Sequence, residues 1–147
     1  MFRLFDKLLI FFTLLLAIFV GYVYTVSFED IVDVQSIKYH DVCVGDTIQN
    51  VTALRFVDKP VKGTTFGEVF FYNGNIKSET IIKREINYIY QVNTEPITYE
   101  VKWSQPFLRP GLYGASDFII IEPWPFITKE KYFSEDDQKF NVIDCKI

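Results

Sequence analysis

The sequence predicts one transmembrane helix at the N-terminus followed by an all-β domain built as an antiparallel β-sandwich. Two observations carry this prediction. Residues 8–28 contain no charged side chain, and residues 29–147 alternate between β-favouring segments and turn signals at intervals of about 8–12 residues. Aromatic residues make up 18 % of the chain, so the second part has enough apolar surface to bury a core. The 147 residues allow one domain of ordinary size beyond the helix.

The apolar segment Leu8–Val26 has the length of a membrane span. At about 1.5 Å per residue it approaches the ~30 Å of bilayer hydrocarbon. A cleaved signal peptide is the alternative, but its apolar core is shorter and small residues precede its cleavage site, whereas Tyr22 and Tyr24 stand at this end and suit an interfacial belt. We therefore expect a retained signal anchor. The predicted boundaries are 1–7 for a tail, 8–26 for the transmembrane helix, 27–35 for a linker and 36–147 for the sandwich domain.

The charges that flank the helix predict its orientation. Arg3 and Lys7 precede it, and Glu29, Asp30 and Asp33 follow it. Because positive charge is retained in the cytoplasm, the N-terminus is expected there and the C-terminal domain in the periplasmic or extracellular space of a single-pass membrane protein.

The two cysteines fit an exported domain. Cys43 lies near its start and Cys145 near its end. In an oxidising compartment they are expected to pair and to close a loop of about 100 residues, which the chain-entropy model values at up to ~4–5 kcal/mol. Two buried free thiols are the alternative.

The clearest local signal in the domain is Asn73-Gly74 between two β-favouring segments, which predicts a hairpin with a type I′ turn. Ile97–Trp103 alternates without a fault, which predicts that Ile97 and Trp103 both face the core. We expect seven or eight strands. Pro110-Gly111-Leu112-Tyr113 is placed as a tyrosine corner is placed, at the entry to a late strand, and this makes the expected sandwich immunoglobulin-like in architecture.

Composition argues against several classes of function. The chain carries a net charge of −4, and the acidic domain lacks the clustered Lys and Arg that nucleic acid requires. His40 is the single histidine, and the sequence contains neither a Gly-rich phosphate loop nor a G-x-S-x-G motif. We therefore predict no enzyme, no catalytic, cofactor-binding or metal site, no cofactor and no nucleic-acid partner.

Two short patterns point to partners. Pro123 and Pro125 hold the backbone around Trp124 and Phe126 extended, so these aromatic residues are candidates for contact with a partner or with the membrane surface. The alternative is that both residues cover an open end of the core. Thr13, Ala17 and Gly21 form a stripe of small residues along the helix, which is a candidate surface for helix packing and oligomer formation.

These observations together predict a membrane-anchored extracytoplasmic protein. Its expected role is that of a protein-interaction, accessory or assembly subunit at the cell envelope, with another membrane or envelope protein as the partner. The alternative is a membrane-tethered domain that senses or carries a small ligand or an ion.

Overall fold

A computed structural model shows one apolar helix followed by a mostly-β domain. The structure describes residues 2–57, 59–92, 95, 97–107, 109–133 and 138–145, and within these it describes all side chains except those of residues 2, 35, 48–57 and 99–105. Helix α1 spans Phe2–Thr25, so it begins before the predicted boundary at Leu8. Its segment Arg3–Thr25 is long and apolar enough to cross a membrane, which fits either a membrane anchor or a signal sequence.

Nine strands follow in the described part of the chain. They are β1 Val32–Tyr39, β2 Val42–Cys43, β3 Thr47–Val57, β4 Val61–Asn73, β5 Ile76–Tyr90, β6 Ile97–Pro106, β7 Gly111–Trp124, β8 Ile127–Phe133 and β9 Lys139–Ile143.

The strands form two sheets. The smaller sheet has the order β1-β3-β6 and is antiparallel throughout. The larger sheet has the order β2-β9-β7-β4-β5, and β8 pairs with the same edge of β7 as β9 does, further along the strand. The pair β2–β9 is parallel, which the prediction of a purely antiparallel sandwich did not include. The expectation of an apolar helix and a mostly-β domain is confirmed; the sandwich itself stays a prediction.

Residues 27–35, which the sequence predicts to be a linker, include the start of β1 and contribute side chains to the core. Phe28, Ile31, Val32 and Val34 are all buried. Glu29, Asp30 and Asp33 give this segment the composition of a solvent-exposed linker, but the apolar residues beside them pack inward. The predicted boundary between residues 35 and 36 therefore falls inside β1, which spans Val32–Tyr39.

Strand β1 contains a β-bulge that changes which of its side chains face the core. The register with β3 shifts between Val34 and Ser36, where β1 carries an extra residue. Side chains alternate with a period of two, so the extra residue lets Val34 and Ile37 point to the same side. Tyr39 follows on that side, and β1 shares one buried cluster with residues of the larger sheet such as Val69.

The predicted hairpin is present, but its turn is not type I′. Asn73 pairs with Ile76, so the two loop residues are Gly74 and Asn75. Gly74 has a φ of 63°, whereas Asn75 is not among the residues with positive φ. A glycine with positive φ at the first loop position is the feature of a type II′ turn, which also matches the twist of the flanking strands.

Two predicted contacts, a disulfide and a side-chain hydrogen bond, are present in the domain. Cys43 and Cys145 form a disulfide with Cα atoms 5.5 Å apart, as the cysteine positions predict. The Tyr113 hydroxyl donates a hydrogen bond to the carbonyl of Arg109 at 3.0 Å, as in a tyrosine corner. The prediction that Ile97 of β6 faces the core is wrong, because its side chain is 46 % exposed. The Trp103 side chain lies outside the described residues.

Candidate functional site

The first candidate site is the β7–β8 hairpin tip, which contains the predicted contact residues. Trp124 pairs with Ile127, so Pro125 and Phe126 are the two turn residues. Trp124 is half-buried and packs against the core, as the alternative interpretation expected. Phe126 does not cover the core: its side chain is fully exposed, at 105 % of the reference area. Its φ of 65° is also rare for a residue with a bulky side chain.

The hairpin tip is joined to the end of α1. The Lys129 ammonium donates a hydrogen bond to the Val23 carbonyl at 2.8 Å. This carbonyl lies in the last turn, where helix carbonyls have no intrahelical donor and where a cation interacts favourably with the helix dipole. The rings of Tyr22 and Trp124 make an edge-to-face contact with centroids 6.0 Å apart, and the Lys59 ammonium lies 5.2 Å from the centroid of the Trp124 ring.

The second candidate site is an aromatic ladder on the outer face of the larger sheet, formed by Phe66, Phe118 and Tyr132. These residues lie directly opposite one another on β4, β7 and β8. The Phe66 and Phe118 rings stack with centroids 5.9 Å apart, and the Phe118 and Tyr132 rings with centroids 4.1 Å apart. Phe66 and Phe118 are half-buried, and Tyr132 is 70 % exposed. The ladder therefore presents ring faces and edges to the outside.

The third candidate site is a polar cluster inside the core. Asp117 of β7 is 1 % exposed. Its Oδ2 accepts a hydrogen bond from the Tyr39 hydroxyl at 2.7 Å, and its Oδ1 lies 4.0 Å from a guanidinium nitrogen of Arg84. Gly67 pairs with Arg84 on one side and with Asp117 on the other. Because Gly67 has no side chain, the arginine and the aspartate approach each other across β4.

Burial dominates the electrostatics of this cluster. Desolvation raises the pKa of Asp117 above its ordinary value, and the hydrogen bond from Tyr39 and the charge of Arg84 oppose that rise. The side chain of Arg84 is only 12 % exposed, so the pair is removed from most of the solvent. This arrangement resembles a structural ion pair more than an acid–base site, because the Asp117 side chain has no exposed surface that a substrate could reach.

The small-residue stripe of α1 faces away from the domain. The Thr13 hydroxyl donates a hydrogen bond to the Leu9 carbonyl at 2.8 Å, within the helix itself. Ala17 is exposed, and a side chain at Gly21 would meet no described atom within 4 Å. Helix packing through this stripe stays a prediction.

Sequence reasoning missed the ladder and the polar cluster. The apolar run Phe118–Ile121 is typical of a strand that is buried on both faces, whereas in the structure only Ile119 and Ile121 are fully buried. Asp117 lies directly before that run, and its position in an otherwise apolar strand could have indicated a buried polar residue. Among the described residues, no group of three or more His, Cys, Asp and Glu residues is arranged to hold a metal ion.

Comparison with known proteins adds little to this geometry. No family model matches the chain, and no curated protein matches it. One similar solved structure is the CARDB domain of a Pyrococcus furiosus protein in complex with di-metal ions, with 10 % sequence identity and a TM-score of 0.34. That alignment covers 82 % of this chain and 91 % of the other.

Proposed function

We propose that this chain is a single-pass membrane protein whose β-domain lies outside the cytoplasm and binds another envelope protein as an accessory or assembly subunit. In this proposal α1 is retained as the anchor, the N-terminus is cytoplasmic, and the domain is an immunoglobulin-like sandwich. The aromatic ladder is the observation that carries the binding role.

The exposure of α1 supports the anchor. Only 6 % of its most apolar window is buried by the rest of the chain. Large apolar side chains such as Phe12, Leu16 and Ile18 are each more than 60 % exposed. Burying such side chains stabilises each by about 1.5–3 kcal/mol, and lipid is the environment that would bury all sides of the helix at once.

The charges that follow α1 support the orientation. A backbone hydrogen bond and the Lys131 ammonium, which lies 3.1 Å away, lower the pKa of Glu29. Hydrogen bonds from the backbone N–H and the hydroxyl of Ser27 lower the pKa of Asp30. Both carboxylates therefore stay ionised at neutral pH. Arg3 and Lys7 precede the helix, whereas residues 27–35 contain no Lys or Arg, and this difference in basic residues supports a cytoplasmic N-terminus.

The ladder supports a protein partner. Aromatic residues are enriched among the side chains that dominate protein–protein binding, since they bury a large area and lose little conformational freedom. Phe118 is held between Phe66 and Tyr132, so the rings are already ordered before a partner binds. Preorganisation of this kind reduces the entropy lost on association.

A site-specific cross-linking experiment tests the binding role. A photoreactive amino acid replaces Tyr132 in the full chain, which is expressed in its native host and irradiated in intact membranes. The matched control places the same group at Asn75, an exposed residue at the opposite hairpin tip. We expect one discrete adduct from position 132, none from position 75, and recovery of the same partner in stoichiometric amount with the unmodified protein.

Three outcomes would contradict the proposal. Equal adducts from both positions would indicate contact without a defined site, and no adduct from either would remove the ladder as the binding surface. A small molecule that co-purifies without any protein would favour the alternative of a ligand sensor or carrier. Mass spectrometry of the mature N-terminus tests the anchor separately, because a start near Phe28 would show that α1 is a cleaved signal.

A further inference from the structure

We propose that the β7–β8 hairpin tip enters the outer half of the bilayer beside α1, with Phe126 as the inserted side chain. The domain is then attached to the lipid at two points, the helix and the tip. This inference rests on the proposed function, because it requires α1 to be a retained membrane span.

The position of the tip relative to the helix is the first argument. Phe126 and Ile127 line a groove of about 420 Å³ together with Phe19, Val20 and Val23 of α1. Those helix residues lie two to six positions before the helix end at Thr25, that is, on the side of the apolar segment. A helix rises about 1.5 Å per residue, so the tip reaches a level roughly 3–9 Å below the helix end.

The contacts around the groove hold the hairpin tip at this height along α1. The hydrogen bond from Lys129 to the Val23 carbonyl and the ring contact between Tyr22 and Trp124 join the two strands of the hairpin to the last turn of the helix. Trp, Tyr and Lys are the residues that suit the membrane interface, because each combines an apolar body with a polar end that reaches water. Trp124, Tyr22 and Lys129 therefore have the composition of an interfacial layer, and Phe126 extends beyond it.

The conformation of Phe126 is the second argument. Proline at the first turn position and a positive φ at the second are features of a type II turn, in which glycine normally occupies the second position. A phenylalanine there is strained and gains no contact with the core, since its side chain is fully exposed. Strain of this kind is retained at sites where the side chain has a use outside the fold.

The opposite hairpin provides the contrast. Strands β4 and β7 are antiparallel, with Lys62 opposite Glu122 and Phe71 opposite Tyr113, so the β4–β5 tip lies at the other end of the sheet. That tip is Gly74-Asn75, whereas residues 124–128 read Trp-Pro-Phe-Ile-Thr and contain no charge. Of these two tips, the one beside the helix has the composition of a lipid contact.

Depth-dependent fluorescence quenching tests the insertion. The full chain, with its disulfide intact, receives a single cysteine at Phe126, Asn75 or Ala17, is labelled with an environment-sensitive fluorophore and is reconstituted in phosphatidylcholine vesicles. Quenchers are lipids spin-labelled near the head group or at the chain end, and aqueous iodide. We expect lipid quenching and loss of iodide quenching at positions 17 and 126, with position 126 quenched more by the shallow label, and iodide quenching alone at position 75.

A second set of chains removes the bias of a probe that replaces Phe126. The probe is placed at the exposed Thr128 in chains that carry either Phe126 or Phe126→Asp. We expect several-fold stronger quenching by the shallow spin label with Phe126 than with Phe126→Asp, because the charged side chain is expelled from the bilayer.

Each other outcome has a definite meaning. A probe at position 126 that is open to iodide, with position 17 lipid-quenched, overturns the insertion and leaves the anchor in place. Iodide quenching at position 17 overturns both proposals. Lipid quenching at position 75 shows a domain lying flat on the membrane, and protection of position 126 without lipid quenching shows contact with a second copy; each of these also overturns the insertion.

Discussion

Tyr39→Phe tests the polar cluster most directly, because it removes one oxygen atom and keeps the ring. The Tyr39 ring is 8 % exposed and stacks on Phe140 with centroids 5.5 Å apart, and these contacts survive the substitution. The substitution removes the hydrogen bond from the Tyr39 hydroxyl to Asp117 Oδ2, which measures 2.7 Å. The Asp117 side chain has no exposed surface, so water does not replace the lost donor.

The expected loss can be worked out from this geometry. A hydrogen bond to a charged group contributes about 1.5–3 kcal/mol, so we expect Tyr39→Phe to lower the free energy of unfolding by about that amount at neutral pH. A carboxyl group whose pKa is raised by folding contributes stability that is present below its unfolded pKa and is lost as the pH rises through its folded pKa. Burial raises the pKa of Asp117 and the Tyr39 hydrogen bond opposes the rise, so the variant raises it further. The penalty should therefore shrink as the pH falls and Asp117 becomes protonated in both proteins.

Guanidinium unfolding of the full chain in detergent, followed by intrinsic fluorescence at neutral and acidic pH, measures this penalty. Tyr132→Phe is the matched control, because it removes the same atom from a ring that is 70 % exposed, and its effect should stay within about 0.5 kcal/mol. An equal loss in the two variants, or a Tyr39→Phe penalty that does not shrink in acid, would refute the reasoning.

Three further changes have expected outcomes. Replacing Cys43 and Cys145 with serine should lower the free energy of unfolding by about 4–5 kcal/mol, because the loop spans 102 residues; denaturant unfolding checks this. Phe126→Gly should be about 1 kcal/mol more stable than Phe126→Ala in the same assay, since both lack the ring and only glycine relieves the positive φ. Gly114→Ala should cost about 1–3 kcal/mol and lower the thermal midpoint, because its Cβ would lie 2.7 Å from the Phe70 ring.

Local signals predicted the features that depend on few neighbouring residues. The apolar helix follows from a charge-free segment, and the hairpin at Gly74 follows from a residue type that tolerates positive φ. The bond from Tyr113 to the Arg109 carbonyl spans four residues. The disulfide joins distant residues, but two cysteines allow only one pairing within the chain.

The missed features depend on register between strands that are distant in sequence. The approach of Arg84 to Asp117 requires both to pair with Gly67, and no local pattern encodes that coincidence. The broken alternation in β1 indicates an edge strand or a bulge, and β1 is both an edge strand and bulged, but the position of the bulge depends on the register with β3. An unbroken apolar run such as Phe118–Ile121 suits a strand that is buried on both faces, so it did not indicate that the outer face of β7 is only half-buried.

Strand β7 links the core, the outer face and the hairpin tip. Asp117 points inward and Phe118 outward, because successive residues of a strand face opposite sides. A slip of one residue would move the carboxylate away from Tyr39 and the phenyl ring out of the ladder, so both features select the same register. In that register Trp124 pairs with Ile127, and Pro125 and Phe126 fall in the turn. The stacked rings of Phe118 and Tyr132 lie in this same β7–β8 register, so the ladder helps to set which residues the tip presents beside the helix.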